Sequence, residues 1–327
     1  MQTDKFIGGA TNSKETVLDL SVVIPLYNEK AALEELKNKL VEAINQLNLN
    51  YEVIFVDDGS SDGSCEILKK LHENDDHVKV IQFRKNHGKA AALAAGFERA
   101  SGKVIVTMDA DLQDDPNEIK NLLGKLNQGY DLVSGWKKRR YDPLSKRLPS
   151  KIFNCVVSWV SGIRLHDFNC GLKGYRCEVA KTIDLYGEFH RFTPVLAHWE
   201  GFRVTEIAVQ HHPRKYGSSK YGLARFTHGF LDLITILFLL KFKKRPLHLF
   251  GIAGLLFFLG GIGISLYLTF ERLFAQKYLS NRPLLFLGVL LIIIGIQFVS
   301  IGLLGEMITE TQKSRQGISL KAEIGFD

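Results

Sequence analysis

The chain has 327 residues, with 42 Lys+Arg against 35 Asp+Glu, a net charge of +7 and a pI near 9.1. Hydrophobic residues reach 46% and charged residues 24%, which excludes a disordered or collagen-like chain. The mean hydropathy of 0.00 conceals a split, because apolar residues crowd the C-terminal quarter.

Residues 1–19 lack a basic stretch followed by an apolar run, so they are expected as a tail rather than a signal peptide, with a cytoplasmic domain after them. Leu20–Pro25 (LSVVIP) predicts a buried strand ending at a loop, and Glu29–Gln46 has helical spacing. Tyr51–Val56 (YEVIFV) predicts a second strand, followed by the polar turn DDGSSDGS. Cys65–His72 predicts a helix, Val78–Phe83 a strand, Gly88–Ala100 an Ala-rich helix, and Val104–Met108 a strand that runs into DADLQDDP. The alternation predicts an α/β domain with a parallel sheet covered by helices on both faces. Each polar cluster follows the C-terminal end of a strand, where open α/β sheets bind ligands. No GxGxxG follows the first strand and no GxxxxGK[ST] is present, which argues against a dinucleotide oxidoreductase and a P-loop enzyme.

Cys65, Cys155, Cys170 and Cys177 form no CxxC pair and are expected as reduced, packed thiols rather than disulfides or zinc ligands. Basic residues are not interleaved with aromatics, so no nucleic-acid partner is expected. A phosphate-bearing substrate or an anionic membrane surface accounts better for the charge.

Residues 247–270 and 283–305 contain no Asp, Glu, Lys or Arg. As helices they measure about 36 and 35 Å, enough for a hydrocarbon core of about 30 Å. Two buried helices of a soluble core are the competing interpretation. Arg272, Lys277 and Arg282 lie between the spans, against Lys241, Lys243, Lys244, Arg245, Lys313, Arg315 and Lys321 outside them. The positive-inside rule then places both termini in the cytoplasm and predicts an integral protein of the cell membrane. Phe226–Leu240 is apolar but carries His228 and Asp232, and KFKKR follows, so residues 223–246 are expected as an interfacial helix region on the inner leaflet. A third, short span is the alternative there and would invert the topology. The expected organisation is a tail (1–19), a cytoplasmic domain (20–222), the juxtamembrane region (223–246), two spans (247–305) and a cytoplasmic tail (306–327).

Asp109 and Asp111, two residues apart after a buried strand, can hold a hard divalent cation together with a substrate diphosphate, and Gln113 can add an oxygen ligand or a hydrogen bond. Asp57 and Asp58 follow the second strand, where carboxylates can accept hydrogen bonds from a base or ribose. Gly59 and Gly63 permit a tight turn, and Ser64 is expected to cap the next helix. In Asn86-His87-Gly88-Lys89, a helix N-terminus plus Lys89 forms a candidate anion site.

Taken in order, IPLYNE (24–29), DDGSSDGS (57–64), NHGKAAAL (86–93) and DADLQDDP (109–116) resemble a family 2 glycosyltransferase of the GT-A fold. HDFNCGLKGYR (166–176), HRFTP (190–194) and RKYGSSKYG (214–222) narrow the resemblance to the polyprenyl-phosphate sugar transferases. It covers about residues 20–305 and implies a GT-A domain with a Rossmann-like mixed or parallel sheet, then an interfacial helix and two membrane helices. It implies that Pro25, Tyr27 and Glu29 border the nucleobase and ribose, with Asp57 on the base and Asp58 nearby. Asp109 would lie by ribose and metal (Mg²⁺ or Mn²⁺), Asp111 would bind the metal, and Gln113 would support it. Arg214 and Lys220 would belong to a loop that closes on the diphosphate. Lys137, Arg147, Ser150 and Lys151 fall where the family binds the acceptor phosphate. Asp167 is assigned to orienting basic side chains or acceptor, because a phosphate with a second pKa of about 6 attacks without a strong base.

The implied activity is inverting transfer of a sugar, foremost glucose from UDP-glucose, to undecaprenyl phosphate at the inner leaflet. GDP-mannose and a modified UDP-pentose are the alternative donors. A non-catalytic, membrane-anchored nucleotide-sugar-binding scaffold is the alternative of a different class. Paired membrane helices leave room for a homo-oligomer.

Overall fold

The computed structural model describes residues 18–138, 154–159, 161–185, 187, 189–213, 215–216, 246–274, 283–312 and 320–325. They divide into two compact units, one of Met1–Lys220 with Ile318–Asp327 and one of Tyr221–Gly317.

The first unit is built on an eight-stranded mixed sheet. Its strands are β1 (Leu20–Leu26), β2 (Tyr51–Asp57), β3 (Val78–Phe83), β4 (Val104–Thr107), β5 (Leu132–Lys137), β6 (Lys173–Arg176), β7 (Val204–Val209) and β8 (Leu320–Ile324), in the order β7-β5-β6-β4-β1-β2-β3-β8. Strands β4, β1, β2 and β3 run parallel, and β5 runs parallel to β7. Strand β6 is antiparallel to both its neighbours, and β8 is antiparallel to β3. Every residue of β1 and β2 is buried, so helices must cover both faces. On one face, helix α1 (Leu33–Asn45) presents Leu33, Leu36, Leu40 and Ile44, all fully buried at helical spacing, to alternate residues of β1 such as Val22 and Ile24. On the other, helix α3 (Lys89–Arg99) lies so close that a methyl group at Gly96 would sit 2.3 Å from Val23 Cγ1.

Helix α2 (Ser64–Glu73) begins one residue earlier than expected. Ser64 is its first residue, and Asp62 rather than Ser64 supplies the accepting oxygen, taking the Ser64 N–H at 3.0 Å and hydroxyl at 2.5 Å. Helix α4 (Ile119–Leu126) precedes β5, and helices α5 (Cys177–Thr182) and α6 (Thr193–Trp199) lie between β6 and β7. The segment 306–327, expected as a tail, contributes β8, which pairs with the edge that β3 would otherwise leave open.

The second unit is a helical hairpin of α7 (Pro246–Phe274) and α8 (Pro283–Gln312), each opening on a proline where its missing N–H costs nothing. The apolar stretches Leu249–Phe274 and Pro283–Gly305 are long and apolar enough to cross a membrane, and only 11% of either window is buried, the reverse of a soluble core helix. Gly254 and Gly261 of α7 face Gly295 and Gly288 of α8, while Gly302 packs on Leu247 and Phe250. A Cβ at Gly261 would fall 2.6 Å from the Gly288 carbonyl oxygen, and one at Gly295 2.6 Å from that of Gly254. Small residues let the two backbones touch where lipid offers no hydrophobic drive for association. The expected helix at Phe226–Leu240 lies outside the described residues.

Candidate active site

The loops after β1, β2 and β3 meet at one edge of the sheet, and their side chains stitch them together. Asn28, left-handed at φ 54°, accepts from the Ser61 N–H at 2.8 Å and donates its own N–H to Ser60 Oγ at 2.8 Å. Asp58 is buried and takes the N–H groups of His87 (2.6 Å) and Gly88 (2.9 Å), which fixes the loop entering α3. Burial raises its pKa despite those two donors. Gly59 crosses that loop closely: at φ 72°, a Cβ there would lie 2.6 Å from the Lys85 carbonyl carbon. Asp57 is fully buried. Its Oδ1 accepts from the Ser60 N–H at 2.9 Å, while Oδ2 has no hydrogen-bond partner among the described residues. An unfilled buried acceptor is costly, so this oxygen is available to a ligand's donor group. Pro25 is the last residue but one of β1, with Tyr27 exposed and Glu29 half-buried beyond the strand.

The second cluster grows from the end of β4. The Asp109 carboxylate accepts from Lys89 Nζ, at the start of α3. It packs on Gly171, where a Cβ would fall 2.5 Å from the carboxyl carbon. Burial by itself would raise the Asp109 pKa, but Lys89 and then Lys137 outweigh it and hold the carboxyl well below the usual carboxylate range. Leu112, left-handed at φ 60°, is a strained turn residue between Asp111 and Gln113. Asp111 accepts from the Gln113 N–H at 3.2 Å, and Gln113 Nε2 donates to the His212 carbonyl at 3.3 Å. Asp114 is buried, takes the Asp109 N–H at 3.3 Å and pairs with Lys137 at 3.2 Å. Burial disfavours the Lys137 charge, but Asp114 overrides it and raises the ammonium pKa.

Pro25, Lys89, Asp109, Asn169, Lys173 and His190 line one cleft on the α3 face of the sheet. Three of the expected site residues are therefore brought together: Pro25, Lys89 and Asp109. Lys137 lies outside the lining, pairs with Asp114 and acts on Asp109 through space. Asp167 is buried and holds a local turn, its Oδ1 accepting the Asn169 N–H at 3.0 Å. Arg147, Ser150, Lys151, Arg214 and Lys220 lie outside the described residues. Lys173, His190 and Asp114 were not among the expected site residues. GLKGYR and HRFTP contain the first two, but their importance comes from burial that no local pattern reveals. Burial, then Lys89, Arg191 and Lys173, push His190 down to about 2, so its imidazole is neutral near pH 7. Burial pushes the Cys170 thiol up to about 12.

Among the described residues, no three carboxylate, histidine or cysteine side chains converge on a preformed metal centre. The hard oxygens of Asp109 and Asp111 suit Mg²⁺ or Mn²⁺, whose remaining ligands would be a bound diphosphate and water.

Comparison with known proteins gives a consistent picture. The model for "Glycosyl transferase family 2" matches residues 21–184, half of the chain. Dodecaprenyl-phosphate galacturonate synthase of Rhizobium johnstonii is 36% identical over 311 residues, 92% of this chain and 90% of that protein. Undecaprenyl-phosphate 4-deoxy-4-formamido-L-arabinose transferase of Salmonella choleraesuis is 37% identical over 291 residues, 88% of each. Among solved structures, glucosyl-3-phosphoglycerate synthase of Mycobacterium tuberculosis, crystallised with Mn²⁺, UDP and phosphoglyceric acid, superposes with a TM-score of 0.54. It is 17% identical and covers 68% of this chain and 78% of its own, a likeness of fold.

Proposed function

This chain belongs to the family 2 glycosyltransferases, within the polyprenyl-phosphate group, and from that premise we propose that it transfers a sugar from a nucleotide-sugar to the phosphate of a polyprenyl lipid, with inversion at the anomeric carbon. The observation that carries the proposal is the Asp109–Asp111 turn at the end of β4, braced by Lys89, in a chain that also has two candidate membrane spans.

Each residue then has a task. Asp57 offers its open oxygen to a nucleobase N–H, and Pro25, Tyr27 and Glu29 border base and ribose. Asp58 shapes the loop beside them. Asp111 and Asp109 would hold a divalent cation, with Gln113 in support, and the cation would supply positive charge to a bound diphosphate. Lys89 keeps Asp109 ionised and in place. Arg214 and Lys220 serve the diphosphate, and Arg147, Ser150 and Lys151 the acceptor phosphate. Lys137 acts on the turn through Asp114. A phosphate acceptor is largely dianionic at pH 7, so Asp167 positions the 167–169 turn and no strong base is required.

The fold also supports the sidedness of this scheme. Strand β8 pairs with β3, which supports an even number of membrane crossings between Phe83 and Leu320, as two spans would give. The positive-inside rule supports a cytoplasmic position for this shared side.

The two relatives are named for galacturonate and 4-deoxy-4-formamido-L-arabinose rather than glucose, so the donor sugar is the variable of the decisive assay. Purified protein, Mg²⁺ or Mn²⁺ and undecaprenyl phosphate are incubated with labelled UDP-glucose, UDP-galacturonate, a UDP-pentose and GDP-mannose, and label is counted in the lipid phase. Transfer from one donor names the sugar. Folded Asp111→Ala is expected to lose roughly 10²–10³-fold of the rate. No transfer from any donor, in protein that binds UDP, would favour a nucleotide-sugar-binding scaffold.

A further inference from the structure

The cleft contains a lysine that the transfer scheme leaves without work. Lys173 opens β6, in register with Thr107 of β4, two residues before Asp109. It is 3% exposed and lines the cleft beside Lys89, Asp109 and His190. Below it, Tyr175 closes the floor through its hydroxyl contact with Thr193 Oγ1 at 3.1 Å. Two of the nearby anions are already paired, Asp109 with Lys89 and Asp114 with Lys137, while buried Asp167 takes the Asn169 N–H and favours the Lys173 charge only through space. Cys170 stays a neutral thiol. Among the described residues Lys173 has neither an ion-pair nor a hydrogen-bond partner. A buried ammonium in that state is destabilising, whereas an apolar residue of similar length would fill the space without that penalty.

We propose that Lys173 binds an anionic oxygen of the substrate at the floor of the cleft. Two chemistries supply such an oxygen within the proposed reaction: a phosphate, on donor or acceptor, and a carboxylate on the transferred sugar. Burial pushes the free ammonium down to about 8, and an anion beside it would push that value back up.

The inference rests on the transferase reading, so wild-type transfer is measured first, and its absence would sink that reading rather than this one. Lys173→Met is then compared with wild type and Lys173→Arg by calorimetry with UDP, UDP-galactose and UDP-galacturonate, and by the KM for undecaprenyl phosphate. One constant is expected to weaken by about 10- to 100-fold in Lys173→Met, with partial rescue in Lys173→Arg. An equal loss for all three nucleotides assigns the diphosphate. A loss confined to UDP-galacturonate assigns the sugar carboxylate, and a raised KM for the lipid alone assigns the acceptor phosphate. The thermal midpoint of Lys173→Met is expected to hold or rise, whereas a purely structural lysine would lower it. Unchanged constants throughout would overturn the proposal. If Lys173→Met does not fold, acetic anhydride labelling of wild-type Lys173 decides: protection by UDP, UDP-galacturonate or undecaprenyl phosphate supports it, and labelling indifferent to all three overturns it.

Discussion

At the end of the sheet where the parallel strands begin, Glu52 is buried with its charge paired. Its Oε1 accepts from the Ser21 hydroxyl at 2.5 Å and the Ser101 N–H at 2.7 Å, and Lys79 pairs with Oε2 at 2.9 Å. Ser21 Oγ in turn takes the Gly102 N–H at 2.8 Å. At the end where the same strands finish, Asp57 Oδ2 is buried without a hydrogen-bond partner, and Lys173 is buried without an ion pair among the described residues. Glu52 and Asp57 lie on one strand, β2. Burial of charge therefore does not distinguish a site from a scaffold here. What distinguishes them is whether the protein itself supplies a partner for the charge.

The largest expected effect comes from breaking the completed end. Glu52→Ala strands the Ser101 N–H and the Ser21 hydroxyl and removes the Lys79 partner, so a loss of roughly 3–5 kcal/mol of stability is expected. Urea unfolding of the detergent-solubilised full chain measures it. Transfer per folded molecule should remain near wild type, and a specific loss of activity would show that the two ends are not independent. Glu52→Gln keeps an acceptor for Ser21 and Ser101 and should cost less.

A smaller effect, of the opposite kind, is expected at the unfinished end. In Gly171→Ala the new methyl would meet the Asp109 carboxylate at 2.5 Å and displace it from Lys89. Displacement of a reacting-site group by about an ångström costs on the order of 10²-fold in rate. Steady-state transfer should fall by about that much, with a thermal midpoint close to wild type. Wild-type turnover in Gly171→Ala would mean that Asp109 is free to move.

The completed end and the unfinished end were not equally legible in the sequence. Strands β1 to β4 stood out because double-sided burial demands contiguous apolar runs such as LSVVIP and YEVIFV, with helices at regular intervals. Strands β5 to β8 did not, because LVSGWK, KGYR and VTEIAV mix glycine and charge with apolar residues and owe their pairing to distant partners. In the site, Asp57, Asp58, Lys89, Asp109 and Asp111 were legible as short motifs at strand ends. The work of Asp58 and Lys137 was not: one holds the loop into α3 and the other holds Asp114, roles that exist only once separate segments meet. Lys173 and His190 were invisible as site residues for the same reason, since their chemistry is set by desolvation after folding.

The smallest expected effect tests that desolvation directly at His190. Burial, then the cations Lys89, Arg191 and Lys173, lower its pKa from 6.5 to about 2, so the folded chain keeps the imidazole neutral while the unfolded chain protonates it below pH 6.5. The unfolded state therefore binds more protons across that window, and stability must fall as pH drops from 6.5, by at most about 1.4 kcal/mol per pH unit for one proton. Asp109, whose folded pKa is depressed, adds its own loss only as pH approaches its unfolded value of 3.8. Between pH 6.5 and 4.5 the two contributions separate. Unfolding midpoints of wild type and His190→Gln should converge as pH falls through this range, because the variant has no imidazole to protonate. Parallel pH profiles would mean that water reaches His190 in the folded chain, and the cleft would then lack the dry floor that makes an unpartnered Lys173 consequential.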